Sequence, residues 1–176
     1  MQEIALEDVY QLMEPGPVVL LITCNEGQPN VMTMSWHMMV DFVPPLAACV
    51  VSRRNLSFTA LRQSGQCVIG IPGVELAQKV VDIGNCSGRD VDKFARYGLT
   101  PSAPKKVAVP LIKECFVNLE CKIKDPRLIE DYDLLVLEVV AAWRDPERKT
   151  CKTFHHQGYG SFVVDGQAIS LASRMP

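Results

Sequence analysis

The segment Asn30-Val31-Met32-Thr33-Met34-Ser35-Trp36 places an amide, two hydroxyls and an indole within seven residues. Four of the seven methionines, Met32, Met34, Met38 and Met39, lie in it or just after it. Such a segment suits the wall of a site for a planar ligand with apolar faces and a polar edge, although a buried strand with a few polar residues has the same composition. Immediately upstream, Val18 to Cys24 is apolar and β-branched, and Asn25-Glu26-Gly27-Gln28 has turn chemistry. The two runs therefore predict an antiparallel hairpin.

Working outward, residues 3–13 have Ile4, Val9, Leu12 and Met13 near one face and predict a helix ended by Pro15-Gly16-Pro17. Pro44-Pro45 breaks the chain before a third strand, Leu46 to Ser52. Asn55 is placed to cap a helix running to about Arg62. Gln66 to Ile71 reads as a strand stopped by Pro72-Gly73. Helices follow over residues 75–83 and 91–97, the second closed by Gly98. After a proline-spaced connector come two long strands, Cys115–Lys124 and Leu134–Trp143, and then a polar, Gly-rich and aromatic tail containing Tyr159 and Phe162. Strands outnumber helices and connect by turns, which predicts a mainly β protein: an antiparallel sheet or barrel with short helices in the connections, not a doubly wound sheet.

The bulk properties narrow the function. The chain has 176 residues, a formal net charge of −2 and a mean hydropathy of +0.09. That balance carries no electrostatic footprint for nucleic acid or an anionic membrane, and no apolar run approaches the roughly 20 residues of a membrane helix. The N-terminus has no basic n-region, and the seven widely spaced cysteines lack a disulfide framework. Both features point to a reducing, cytoplasmic setting.

Two stretches suit anions. Ser52-Arg53-Arg54-Asn55-Leu56-Ser57 combines guanidinium groups and a hydroxyl with a helix N-terminus. Ser87-Gly88-Arg89-Asp90-Val91-Asp92-Lys93 adds a glycine turn and a lysine on the first turn of a helix, where it opposes the helix dipole. Solvated arginines and an acidic helix start would account for the same residues. Cys151, His155 and His156 lack further ligands at zinc spacing, so no metal is expected. The chain has no Rossmann fingerprint, phosphate loop, nucleophile elbow or paired carboxylates, and so no visible catalytic side chain; its chemistry is expected to come from a cofactor.

Taken in order, Pro17-Val-Val-Leu-Leu-Ile-Thr23, Gly27-Gln-Pro-Asn30 through Trp36, Pro44-Pro45-Leu46, Ser52-Arg53 with Asn55 and Ser57, Ser87 through Phe94, and Gly98-Leu-Thr-Pro101 resemble the flavin-reductase-like family, most closely its flavoredoxin branch. The match runs over roughly residues 12–165. It implies one FMN-binding split β-barrel domain over residues 1–176, usually a homodimer with the flavin near the subunit interface. It implies flavin contacts from Asn30, Met32, Thr33, Met34, Ser35 and Trp36, and phosphate contacts from Ser52, Arg53, Asn55, Ser57, Ser87 and Lys93. Tyr132 stands near where the family often has a histidine, and Tyr159 and Phe162 resemble its ring-covering end. Members transfer hydride between NADH or NADPH and flavin, or relay electrons between protein partners without using a nicotinamide. If Asn30, Thr33, Ser35 and Trp36 all serve one ligand, a regular pleat cannot present them together, and the strand is expected to bulge or break near Met32–Ser35.

Overall fold

The computed structural model of the protein describes residues 1–13, 15–148 and 150–172; the last four residues of the expected 1–176 domain lie outside the described residues. Among the described residues there are twelve strands: β1 (Gln2–Glu3), β2 (Val19–Asn25), β3 (Gln28–Met34), β4 (His37–Asp41), β5 (Leu46–Val50), β6 (Gln66–Ile71), β7 (Pro101–Ser102), β8 (Leu111–Ile112), β9 (Val117–Asp125), β10 (Leu134–Arg144), β11 (Phe154–Gly158) and β12 (Ser161–Val164). The helices are α1 (Val9–Met13), α2 (Leu56–Ser64), α3 (Ala77–Gly84), α4 (Lys93–Tyr97) and α5 (Ile129–Tyr132). The main sheet is antiparallel, in the order β3-β2-β6-β9-β10-β5-β4, with β1 added to β10. It is the predicted mainly β split barrel.

The β2–β3 hairpin forms as its sequence requires. Glu26 and Gly27 both adopt positive φ (50° and 80°), so a two-residue turn joins strands that stay in register from Asn25↔Gln28 to Val19↔Met34. β2 is buried on both faces. Val19 and Leu21 enter a core with Met13, Cys49, Leu61, Leu119 and Leu137. Leu20 and Ile22 pack in a second core with Val80, Ile83, Phe94 and Phe154. Each of these large aliphatic side chains contributes about 1.5–3 kcal/mol by leaving water. The connector that follows α4 is held by Glu120, a fully buried carboxylate that accepts N–H bonds from Lys105, Lys106 and Val107 and from the Trp143 indole.

One expectation needs correction. The helix predicted over residues 3–13 begins later. Gln2 and Glu3 pair with Arg144 and Trp143, Ile4 N–H donates to the Ala142 carbonyl, and one 3-10 turn (Leu6–Asp8) precedes the five-residue α1. A short helix pays a costly nucleus, and the open edge of β10 offers those backbone groups partners at once. The segment after Trp36 forms a separate edge strand, β4, paired with β5. In the tail, β11 and β12 form a hairpin with Tyr159 and Gly160 at its turn.

β3 pairs with β2 without a bulge through Met34, and the chain breaks at Ser35–Trp36 before β4 begins. The expected interruption is thus a break at the end of the strand.

Candidate functional site

Alternation along β3 sends Asn30 and Thr33 to opposite faces, and each meets a different helix. The Asn30 amide donates to the Ser57 hydroxyl (3.0 Å) in the first turn of α2, and Thr33 Oγ1 donates to the Val80 carbonyl (2.5 Å) of α3. Between these helices the loop 85–92 crosses over β3. Gly88 is required there, because a Cβ at this position would collide with Asn30 Oδ1.

This arrangement leaves two adjoining cavities. One, of about 290 Å³, is lined by Asn30, Met32, Asn55, Ser57, Ser87 and Lys93 together with Arg54, Arg89 and Cys86. The other, of about 320 Å³, is lined by Val18, Thr33, Ser35, His156, Gly160 and Phe162. Gly84 and Asn85 belong to both. Each cavity alone is at the lower end of the range for small-molecule sites.

The first cavity is electropositive. Lys93 is only 5% exposed, and Nζ donates to the Ile83 carbonyl (2.9 Å) in the last turn of α3. Burial lowers the Lys93 pKa from its ordinary value, partly offset by the neighbouring Cys86 thiol. The carbonyl end of α3 favours a cation at this point. Asn55 occupies the N-cap position of α2, with ψ 143°, but its side chain makes no capping bond. Phe58 N–H donates to the Asn55 carbonyl (3.2 Å), and the N–H groups of Leu56 and Ser57 are left to another acceptor. Arg89 reaches across the cavity rim and donates to the Arg54 carbonyl (3.3 Å).

The structure gathers Asn30, Met32, Asn55, Ser57, Ser87 and Lys93 at one cavity and Thr33, Ser35 and Phe162 at the other. It does not bring the remaining predicted residues to either. Arg53 turns toward the start of β10, where its Nε and backbone N–H donate to Asp133 (2.9 and 3.1 Å) and its terminal nitrogen donates to the Glu130 carbonyl (2.8 Å). Ser52 accepts from Arg54 N–H. Met34 is buried in the barrel core. Trp36 is 71% exposed and borders a separate small cavity with His37 and Met38. Tyr132 lies exposed at the end of α5, and Tyr159 projects from the tip of the β11–β12 turn. Sequence reasoning missed Asn85, Cys86 and His156 as wall residues. Asn85 and Cys86 directly precede the Ser87-Gly88 turn, so their adjacency was a usable signal; His156 had none until the tail was seen to fold back.

The fold and these cavities define a flavin-type split barrel, and the chain belongs to the flavin reductase like domain family, whose model matches residues 13–162. The chain is 32% identical to the uncharacterized protein YddH of Escherichia coli K12, with 95% of this chain and 96% of that one covered. Among solved structures it superposes on an FMN-binding domain of a flavin reductases-like enzyme from Shewanella baltica OS155, with TM-score 0.89, 27% identity and 97% of each chain covered. It also superposes on the flavoredoxin of Desulfovibrio vulgaris (Miyazaki F), with TM-score 0.80, 22% identity and 90% and 91% covered. No helix among the described residues is long and apolar enough to cross a membrane.

Proposed function

We propose that the protein is an FMN-binding oxidoreductase that takes reducing equivalents from a reduced nicotinamide. The observation that carries this reading is the pair of cavities sharing Gly84 and Asn85, one cationic and one bounded by hydroxyls and an aromatic ring. The donor set fits a flavin mononucleotide. Ser57 and the open N-terminus of α2 supply donors for a phosphate, and Lys93, Arg54 and Arg89 supply positive charge. Lys93 has three N–H donors, and its one acceptor among the described residues is a helix carbonyl. A phosphate there would offset the cost of burying that cation. Met32, Thr33, Ser35 and Phe162 offer apolar cover and polar edges for a ring.

When bound, FMN supplies the redox chemistry, accepting a hydride or electrons and passing them on. The residues of this chain bind and orient it, and the hairpin wall limits solvent on one side. No side-chain base is needed for hydride transfer, which depends on stacking at near-attack distance. NADH and NADPH are both candidates as donor. Reconstitution with FMN followed by anaerobic addition of each nucleotide tests the reading: rapid bleaching is expected with at least one. No bleaching with either would favour the carrier reading, in which electrons pass between protein partners.

A homodimer is part of this proposal. Trp36, Met38, Val40 and Phe42, from edge strand β4 and the residue on either side of it, are each 46–71% exposed and make an apolar row interrupted by the bulge between Met39 and Asp41. Such a row on an edge strand is better covered than left in water. Light scattering at micromolar concentration is expected to give twice the 19.5 kDa chain mass. The free thiols at all seven cysteines support a reducing, cytoplasmic location.

A further inference from the structure

The β11–β12 hairpin walls one side of the second cavity, yet it pairs only with itself among the described strands. Two-stranded ribbons are marginal in isolation, so its attachments decide where it sits. Those attachments cluster at its base. Phe154 is buried, and its carbonyl accepts from Val18 N–H (2.8 Å). Asp165 Oδ2 accepts from the N–H and hydroxyl of Thr153 (2.6 and 2.7 Å), and Asp165 N–H donates to the Thr153 carbonyl (3.1 Å). Asp165 Oδ1 lies 2.7 Å from His155 Nε2, while Nδ1 of the same ring lies 3.1 Å from the Gly16 carbonyl oxygen.

Both oxygens that face His155 can only accept. Burial disfavours charge on Asp165, but the bonds from Thr153 and His155 outweigh it and hold the carboxyl below its ordinary range. A neutral imidazole carries one N–H and can serve one of the two oxygens, whereas an imidazolium serves both. His156, next along β11, faces the other way and lies tilted against Phe162 at 5.2 Å, inside the cavity wall.

We propose that His155, bridging Asp165 and the Gly16 carbonyl, is a positioning residue that latches the hairpin to the entry of β2. It thereby fixes Phe162, His156 and Gly160 along the second cavity. The latch itself is independent of any ligand; its consequence for flavin rests on the reading above. Loss of one of its bonds frees the hairpin base without touching the cationic cavity, so ring cover is lost while phosphate contacts remain.

The test uses two variants, His155→Gln and Asp165→Asn, and two measurements. In both variants, backbone amide exchange at Val18 and Asp165 is expected to rise about tenfold, as is the FMN dissociation rate, from losing a charge-assisted bond. Unchanged exchange at Val18 and Asp165 in both variants overturns the latch. If wild-type protein binds no FMN, the flavin reading fails, and amide exchange alone still decides the latch.

Discussion

The Asn30 side chain on β3 and the Ser57 hydroxyl on α2 share a 3.0 Å hydrogen bond across 27 residues of sequence, and Gly88 closes over it from the opposite loop. This contact orients the Ser57 oxygen at the mouth of the cationic cavity. Asn30→Ala removes the donor without opening the core. FMN affinity is expected to fall about tenfold, while the thermal midpoint moves by only a few degrees. Isothermal titration and a melting curve on the same sample check both.

Gly88→Ala tests the same contact from the other side. The added methyl competes with Asn30 Oδ1 for space, so the amide must move. The variant is expected to reproduce the affinity loss of Asn30→Ala, and the double variant to lose no more than either alone. Additive losses in that double-mutant cycle would separate the two residues.

Lys93 is held in the folded protein at a cost. Its pKa is depressed by burial, so the unfolded chain binds more protons than the folded one between that lowered value and the ordinary value of about 10.4. Stability conferred by the folded site therefore rises with pH across that window. Relative to Lys93→Met, the ligand-free wild-type protein is expected to gain stability between neutral pH and about pH 10 in urea unfolding. A gain of the opposite sign would show that the ammonium is stabilised more by Ile83 than it is penalised by burial.

Arg53 makes the reverse kind of statement. Its backbone N–H and guanidinium hold Asp133 below the ordinary carboxylate range against the opposing effect of desolvation. A carboxyl with a depressed folded pKa contributes stability fully above its unfolded value, about 3.9, and loses it as pH falls through the folded value. Asp133→Asn should therefore be less stable than wild type at neutral pH, and the gap should close below about pH 4. Because Arg53 faces Asp133 and not the cavity, Arg53→Ala is expected to change FMN affinity far less than Lys93→Met, by about threefold or less.

What could be read from the sequence follows the range of the interactions. The β2–β3 hairpin and β6 were legible because turn chemistry and β-branched runs act locally. Gly98 closed α4 as expected, with φ 58°. β1 was not legible because its backbone groups find partners on β10, far along the chain, whereas β4 pairs with the neighbouring β5 and β11 with the neighbouring β12, and what hid these was the weak strand signature of their own residues. His-, Gln- and Gly-containing β11 has no strand signature of its own. At the site, Ser57, Ser87 and Lys93 were visible as a set of donors beside helix starts. The choice between neighbouring arginines was not: Arg53 is drawn off by Asp133, 80 residues downstream, while Arg54 and Arg89 are left at the cavity. The break at Ser35–Trp36 was expected from the family resemblance and pleat parity together, since a pleated strand cannot present Asn30, Thr33, Ser35 and Trp36, the contacts the resemblance implies, to one ligand.

The central claim is that the cavity bounded by Ser57, Ser87 and Lys93 holds the phosphate of FMN. Comparing FMN with riboflavin, which lacks that phosphate, tests it most directly by fluorescence titration of wild type and Lys93→Met. The account predicts that wild type prefers FMN by about 100-fold or more, from charge-assisted bonds to the phosphate, and that the preference largely disappears in Lys93→Met. Equal affinity for FMN and riboflavin in the wild-type protein would contradict it.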